Sequence, residues 1–253
     1  MEVFQRELKI FDCNAALGRR HKERIIHDSK DVLLRVLSEV SIAPRALVYN
    51  PYCISFGTLE GNLLLLQEIG EKTKNLIPQF VVSFATDEID EFQVHTRKEG
   101  VRTLRIFPLS HGYPLVHWIA DTWFEWMASE RMALWVPLGR YPEVDIRDLY
   151  TMASRHRRVP IVLAGSSYSN YSTIWPLLKA LDHLYFDLSR FDITNGIERL
   201  IRLIGVRRLL FGSGFPDVDP KPYLYYLFRC GLQFSQLQQI CNDNLEVLLF
   251  EGH

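Results

Sequence analysis

The sequence predicts an α/β protein with a single (β/α)8 TIM-barrel fold spanning residues 1–253. First, eight short apolar runs alternate with stretches of helical periodicity. Second, the runs are nearly continuous in Val, Ile, Leu and Phe, as is typical of parallel strands covered on both faces. Third, no linker or low-complexity tract divides the chain. Eight such pairs in about 250 residues match the size of this barrel.

The strands and helices follow one another in a regular order. We expect strands at Lys9–Asn14, Ala46–Tyr49, Gln79–Ser83, Thr103–Phe107, Ala133–Val136, Ile161–Ala164, Leu184–Asp187 and Leu209–Gly212. We expect helices at Asp31–Ile42, Glu60–Lys72, Glu88–Lys98, Leu115–Ser129, Val144–Arg157, Thr173–Leu181, Thr194–Ile204 and Ser235–Phe250. A doubly wound open sheet is the alternative fold. It is weakened because nothing like GxGxxG follows the first strand.

Composition excludes several classes of partner. The net charge of -1, without any long basic run, gives no reason to expect nucleic acid. No apolar stretch is long enough to cross a bilayer, so no membrane association is expected. The four cysteines form neither a CxxC pair nor a zinc-finger spacing. The simplest interpretation is a reduced, cytoplasmic protein.

Polar residues are predicted at the C-terminal ends of the strands, where TIM barrels carry their chemistry. They are Asp12, Asn14, Asn50, Arg105, Arg140, Ser166, Ser189, Arg190 and Ser213, with His111 on a nearby loop. An arginine at a strand end suits bidentate capture of a carboxylate or phosphate. The alternative is that the arginines pair with Asp12, Asp187 or Asp217. Gly212-Ser213-Gly214 follows the last strand, where many barrels bind phosphate on backbone amides.

The first and last of these segments resemble the amidohydrolase-related family of metal-dependent hydrolases and decarboxylases. The family begins with D-x-H-x-H-x-G, and this chain has Asp12-Cys13-Asn14-Ala15-Ala16-Leu17-Gly18 in the same frame. The family's last strand reads R-x-L-F-G-S-D-x-P, which corresponds here to Arg208 through Pro216. Weaker matches are Arg105 to Pro108, Asp187-Leu188-Ser189 and Asn244. The resemblance implies a TIM barrel with hydrolase or decarboxylase chemistry.

The family's metal-binding positions carry other residues in this chain. The paired histidines fall on Asn14 and Ala16, the fifth-strand ligand near Pro137, the sixth-strand histidine on Gly165 and the eighth-strand aspartate on Gly214. Divalent metals need imidazole or carboxylate ligands. The sequence therefore predicts no metal and no other cofactor. A relocated site on the loop residues His21, His27 and His111 is the alternative, with Asp217 and Asp219 as the nearest substitute carboxylates.

Nucleophilic catalysis has little support in the sequence. We expect the side chain of Cys13 to point toward the helices as a buried, inert thiol. The serines at the strand ends have no histidine that can be placed beside them. The cluster of Trp118, Trp123, Phe124 and Trp126 predicts packing between helices or a contact within a homo-oligomer.

Two functional hypotheses remain. The first is a metal-free descendant of these hydrolases that binds a small polar or anionic molecule in the barrel mouth. It would retain hydrolase or decarboxylase activity through Asp12, Arg105 and His111, with Asn14, Asn50, Arg140, Ser166, Ser189 and Ser213 contacting the substrate. The second is a non-catalytic protein whose barrel serves binding or assembly. Fold alone cannot decide between them.

Overall fold

A computed structural model describes residues 7–19, 28–70, 73–139 and 142–251. All neighbouring strands in this part of the chain are parallel, in the order β1-β2-β3 and β4-β5-β6-β7-β8-β9. The strands are β1 Lys9–Ala16, β2 Ala43–Tyr49, β3 Leu76–Pro78, β4 Phe80–Val81, β5 Thr103–Arg105, β6 Ala133–Pro137, β7 Ile161–Ala164, β8 Leu184–Asp187 and β9 Leu209–Leu210. Because β3 and β4 are two parts of one strand interrupted at Gln79, they make eight barrel strands.

Helices follow the strands around the outside. They are α1 Lys30–Ser38, α2 Tyr52–Ser55, α3 Thr58–Ile69, α4 Ile89–Glu99, α5 His117–Ser129, α6 Ile146–Arg155, α7 Tyr171–Ala180, α8 Gly196–Ile204, α9 Pro220–Arg229, α10 Phe234–Gln238 and α11 Asn244–Glu246. Wider helical turns at Gln239–Asp243 and Val247–Glu251 flank α11. No helix within the described ranges is long and apolar enough to cross a bilayer.

Hydrogen bonds close the sheet into a cylinder. The amide of Cys13 in β1 donates to the carbonyl of Phe211, which directly follows β9, over 2.9 Å. The amide of Gly214 donates to the carbonyl of Asn14 over 3.0 Å. The interruption at Gln79 is also paired, since its amide donates to the carbonyl of Val48 over 2.8 Å. The predicted TIM barrel is therefore confirmed.

Two apolar layers stabilise the barrel. The larger lies between the strands and the helices, and it includes Leu104, Val136 and Phe186 from the sheet. The smaller lies inside the cylinder and includes Cys13 and Trp135. The indole nitrogen of Trp135 donates to the carbonyl of Cys13 across the interior over 3.0 Å. Burial of this apolar surface is the main stabilising contribution to such a fold.

One local prediction from the sequence is wrong, and one helix was not predicted. Cys13 faces the interior and not the helices, because the pairing of β1 with β2 is irregular between Asp12 and Ala15 and the usual alternation fails there. Helix α9 was not predicted, although Asp219 caps it and Pro220 starts it. The last predicted helix, Ser235–Phe250, is confirmed, because the chain is helical without a break from Phe234 to Glu251, with wider turns at Gln239–Asp243 and Val247–Glu251. Of the aromatic cluster, Trp123, Phe124 and Trp126 are buried, whereas Trp118 is 73% exposed.

Candidate functional site

The end of β1 holds a buried carboxylate. Asp12 is fully buried, and its Oδ1 accepts hydrogen bonds from the amides of Asn14 (2.9 Å) and Ser213 (2.8 Å). These bonds connect the irregular end of β1 to the loop after β9. Its Oδ2 is buried without a hydrogen-bond partner in the described part of the chain. Burial raises the pKa of Asp12 to about 6, although its bonds to Ser213 and Asn14 oppose the increase.

A second buried carboxylate, Asp187 at the end of β8, is surrounded by donors. Its Oδ2 accepts from Asn14 Nδ2 (2.8 Å), the amide of Gly165 (2.9 Å) and Ser189 Oγ (2.7 Å). Its Oδ1 accepts from the amide of Ser189 over 2.8 Å. Hydrogen bonds to a charged group are stronger than neutral ones, so Asp187 holds the ends of β1, β7 and β8 together.

Arg105, the last residue of β5, completes the arrangement. Its Nη2 donates to Asn14 Oδ1 over 2.9 Å, and its Nε donates to Gln79 Oε1 over 2.6 Å. The guanidinium carbon lies 4.1 Å from the ring centroid of Tyr49, within the range of a cation–π contact. The side chain is only 2% exposed. Burial lowers the pKa of Arg105, whereas Tyr49 and Asp187 oppose that change.

Asn14 is the centre of what we call the Arg105–Asn14–Asp187 network. Its amide oxygen accepts from the guanidinium and its amide nitrogen donates to the carboxylate and, over 3.1 Å, to Ser189 Oγ. An asparagine is suited to this place because one side chain supplies both an acceptor and two donors. The network places a positive and a negative group on either side of one amide.

Two glycines make room for the network. At Gly212, an added Cβ would lie 2.2 Å from Asp187 Oδ1 and 2.9 Å from Asn14 Cβ, so a larger residue cannot fit without displacement. Gly165 has a φ of 65°, a conformation in which glycine is favoured, and its amide points at Asp187. The backbone amide of Gly165 therefore takes part in the network, and Gly212 leaves the space that Asp187 and Asn14 occupy.

The residues that the sequence resemblance matches to the family's metal-binding positions are poor ligands for a divalent cation. The Asn14 oxygen already accepts from Arg105, whose positive charge disfavours a second cation nearby. Ala16, Pro137, Gly165 and Gly214 offer no side-chain lone pair. Across the described ranges, no group of three or more His, Cys, Asp or Glu residues is arranged to hold a metal ion.

The remaining site predictions are distributed around the mouth. Ser213 donates its amide to Asp12, and Ser166 is buried with its Oγ unpaired within the described chain. Asn50 is buried and its Oδ1 accepts from the amide of Tyr52 over 2.9 Å, so it stabilises the turn before α2. Arg140, like His21 and His27, lies outside the described residues.

His111 belongs to a different part of the mouth. Its Nε2 lies 2.9 Å from the carbonyl oxygen of Cys53, and its ring contacts Phe107 and Tyr113. It lines a cavity of about 380 Å³ together with Asp87. In the described structure, no hydrogen bond or ring contact joins it to the Arg105–Asn14–Asp187 network. The predicted combination of His111 with Asp12 and Arg105 therefore has no support from contacts.

A larger cavity opens beside the network on the β7–β9 side. Its volume is about 630 Å³, within the usual range for small-molecule sites. The described lining residues are Ser167, Ser189, Arg190, Asp192, Asp217, Val218, Asp219, Pro222, Tyr223 and Tyr226. Ser189 is shared, since it lines the cavity and also contacts Asp187 and Asn14.

Sequence reasoning missed several residues of this region. Gln79 and Tyr49 hold the Arg105 side chain, and Tyr223 lines the larger cavity. Alternation along the strands placed Tyr49 and Gln79 on the same interior face as Arg105, which was an available signal. The Asp219-Pro220 pair was a helix-start signal that could have revealed α9 and hence Tyr223.

Thiol chemistry has no support at the mouth. Burial raises the pKa of Cys13 well above its ordinary value, with the charges of Asp187 and Asp12 adding to the increase. A thiol in such surroundings stays protonated and is a poor nucleophile. The prediction that Cys13 is buried agrees with the structure, although the direction of its side chain does not.

Comparison with known proteins identifies the fold and the family. A 2,6-dihydroxybenzoate decarboxylase from Rhizobium superposes with a TM-score of 0.75 at 10% identity, covering 96% of this chain and 98% of that one. A TIM-barrel protein from Bordetella bronchiseptica gives 0.73 at 13% identity, with coverage of 96% and 98%. A 5-carboxyvanillate decarboxylase from Sphingomonas paucimobilis gives 0.67 at 11% identity, with coverage of 98% and 100%.

These low identities show the fold alone. The comparison of the sequence with curated proteins found no match. The family model described as amidohydrolase matches residues 63–244, which is most of the chain. That range contains β4 to β9 and the residues Arg105, Asp187 and Gly212 of the site. The chain belongs to the amidohydrolase family.

Proposed function

We propose that this chain binds a small polar molecule at the mouth of its barrel and does so without a divalent cation at the family's usual position. The observation that carries the proposal is the Arg105–Asn14–Asp187 network. In it, the residue at the family's first histidine position is bonded to a guanidinium and a carboxylate at 2.9 and 2.8 Å. The guanidinium thus places a positive charge on the opposite side of Asn14 from Asp187, which supports the proposal of a site without a metal.

The cavity lined by Ser189 and Tyr223 is where we place the ligand. Arg105 itself is 2% exposed and its bonds are directed at Asn14 and Gln79, so it is poorly available for direct capture of an anion. Ser189 is also buried, but it lines the cavity. A ligand there would contact the network through Ser189 and would be oriented by it.

Catalysis extends this proposal. The similar structures include decarboxylases, and the family's chemistry is hydrolytic or decarboxylating. In this chain the sequence assigns proton transfer to Asp12, and its pKa of about 6 suits that role. Asp12 is fully buried and is not among the described residues that line the cavity, so a ligand there would not contact it directly. A non-catalytic barrel is the second candidate. The complete burial of both Asp12 and Asp187 favours it.

The experiment uses protein treated with EDTA and then dialysed. Ligand-observed NMR against a library of small amines, carboxylates, lactones and amides should detect binders whose affinity does not change when Zn²⁺ or Mn²⁺ is added. Hydrolysis or loss of carbon dioxide is then followed for each binder with wild type and with Asp12→Asn. Binding that requires added metal would overturn the proposal. Binding without turnover would select the non-catalytic candidate.

We also propose a cytoplasmic location. All four cysteines, Cys13, Cys53, Cys230 and Cys241, are free thiols. Free thiols are typical of reducing compartments.

A further inference from the structure

We propose that the cavity of about 630 Å³ beside Ser189 takes a small organic cation, a protonated primary amine. This inference rests on the proposed ligand-binding function and names the class of ligand. The sequence predicted an anionic ligand because Arg105 was expected to be accessible at the mouth of the barrel. The cationic ligand proposed here differs from that expectation.

The charges of the described lining favour a cation. Three carboxylates, those of Asp192, Asp217 and Asp219, face one guanidinium, that of Arg190, which leaves an excess of two negative charges. Arg190 is already engaged, since its Nη2 lies 3.2 Å from Asp217 Oδ2. Asp192 and Asp219 form no salt bridge in the described chain. A cavity lined with charge of one sign raises the local concentration of ligands of the opposite sign.

Two tyrosines form an aromatic wall. The rings of Tyr223 and Tyr226 lie 5.9 Å apart between centroids at an angle of 65°. The face of a tyrosine ring attracts a cation through a cation–π contact, so this wall adds to the preference for a positively charged ligand. Tyr226 is fixed in place, because its hydroxyl donates to the carbonyl of Ile193 over 2.7 Å.

Tyr223 supplies an independent observation. Its side chain lines the cavity and is only 8% exposed, yet its hydroxyl has no hydrogen-bond partner in the described chain. A buried hydroxyl without a partner costs free energy, about 1–3 kcal/mol. Burial and the nearby charge of Asp187 both raise the pKa of Tyr223, so the hydroxyl stays neutral and can accept a hydrogen bond from an ammonium donor.

A matched pair of probes tests the charge of the ligand. Benzylamine and benzoate have similar size and shape but opposite charge at neutral pH. Isothermal titration with the 253-residue chain should show saturable binding of benzylamine that weakens as ionic strength rises. Benzoate should show no saturable binding. Asp192→Asn should weaken benzylamine binding about fivefold, the usual limit for an exposed ion pair. Asp90→Asn, the same change on exposed α4 away from the cavity, should leave it unchanged.

The outcomes separate this inference from the proposed function. Saturable benzoate binding that is lost in Arg190→Gln would overturn the cationic ligand while leaving a ligand site at the mouth. Benzylamine binding that is indifferent to Asp192→Asn and to salt would also overturn it. If neither probe nor any library compound binds, both the inference and the proposed function fail. Circular dichroism of each variant confirms that it is folded.

Discussion

Replacement of Asp12 by Asn tests whether the site holds an uncompensated buried charge. Burial raises the pKa of Asp12 from 3.8 to about 6, so the folded protein holds its proton more tightly than the unfolded chain does. The contribution is fully present below pH 3.8 and is lost as the pH rises through about 6. The difference between the two pKa values corresponds to about 3 kcal/mol, with no reduction for solvent because the carboxylate is fully buried.

The asparagine variant isolates this charge. Its side-chain oxygen can still accept from the amides of Asn14 and Ser213, the partners that Asp12 Oδ1 has in the wild type. Urea denaturation of both proteins from about pH 4 to about pH 7 gives the difference in unfolding free energy at each pH. We expect wild type to lose about 2.5 kcal/mol relative to Asp12→Asn over that range.

A flat difference would refute the pKa argument, because it would mean that Asp12 titrates alike in both states. An increase of wild-type stability with pH would be a stronger contradiction. It would show that the carboxylate is stabilised by a nearby positive charge, such as a bound cation.

Two further substitutions test the network through their effect on the free energy of unfolding. Arg105→Met leaves the side-chain oxygens of Asn14 and Gln79 without their donor and should cost about 2–5 kcal/mol in urea denaturation, whereas Arg97→Met, which removes an exposed pair with a glutamate, should cost less than about 1 kcal/mol. Gly212→Ala forces a Cβ against Asp187 and should cost about 2 kcal/mol or more by the same measurement. Its control is Gly139→Ala, where no atom lies within 4 Å and the cost should stay within about 0.5 kcal/mol. Equal costs within either pair would contradict the role assigned to the network.

The barrel was predictable because it depends on repeated local patterns. Runs such as Ile161–Ala164 are continuous in apolar residues, and this is enough to mark a strand covered on both faces. The boundaries of the strands were less predictable where a polar residue lies within an apolar run. At Gln79 the pairing of the strand changes from β2 to β5, and its side chain accepts from Arg105, a residue 26 positions away.

The candidate site was predictable as a set of positions but not as a set of contacts. The strand ends identified Asp12, Asn14, Arg105 and Ser189, and the structure joins these through a few hydrogen bonds. Periodicity could not show that Arg105 is buried, since exposure depends on how the loops pack. The irregular end of β1 was also hidden, because one extra residue in a strand changes which side chains face inward without changing composition.

The placement of His111 has a similar explanation. A histidine on a loop that follows a strand is expected near the mouth of the barrel. The path of the loop determines which residues that histidine contacts. In the structure the loop after β5 turns toward α2, where Cys53 offers its carbonyl. Nothing in the spacing of the residues specifies that turn.

The most direct test of the central claim is a metal titration of the EDTA-treated wild-type protein, combined with metal analysis of the protein as first purified. The oxygen of Asn14 already accepts from Arg105, and the carboxylate of Asp187 already accepts from Asn14, Gly165 and Ser189. We therefore predict no saturable heat of binding for Zn²⁺ or Mn²⁺ and a metal content far below one ion per chain. A tight one-to-one complex that is lost in Asn14→Ala would contradict the account.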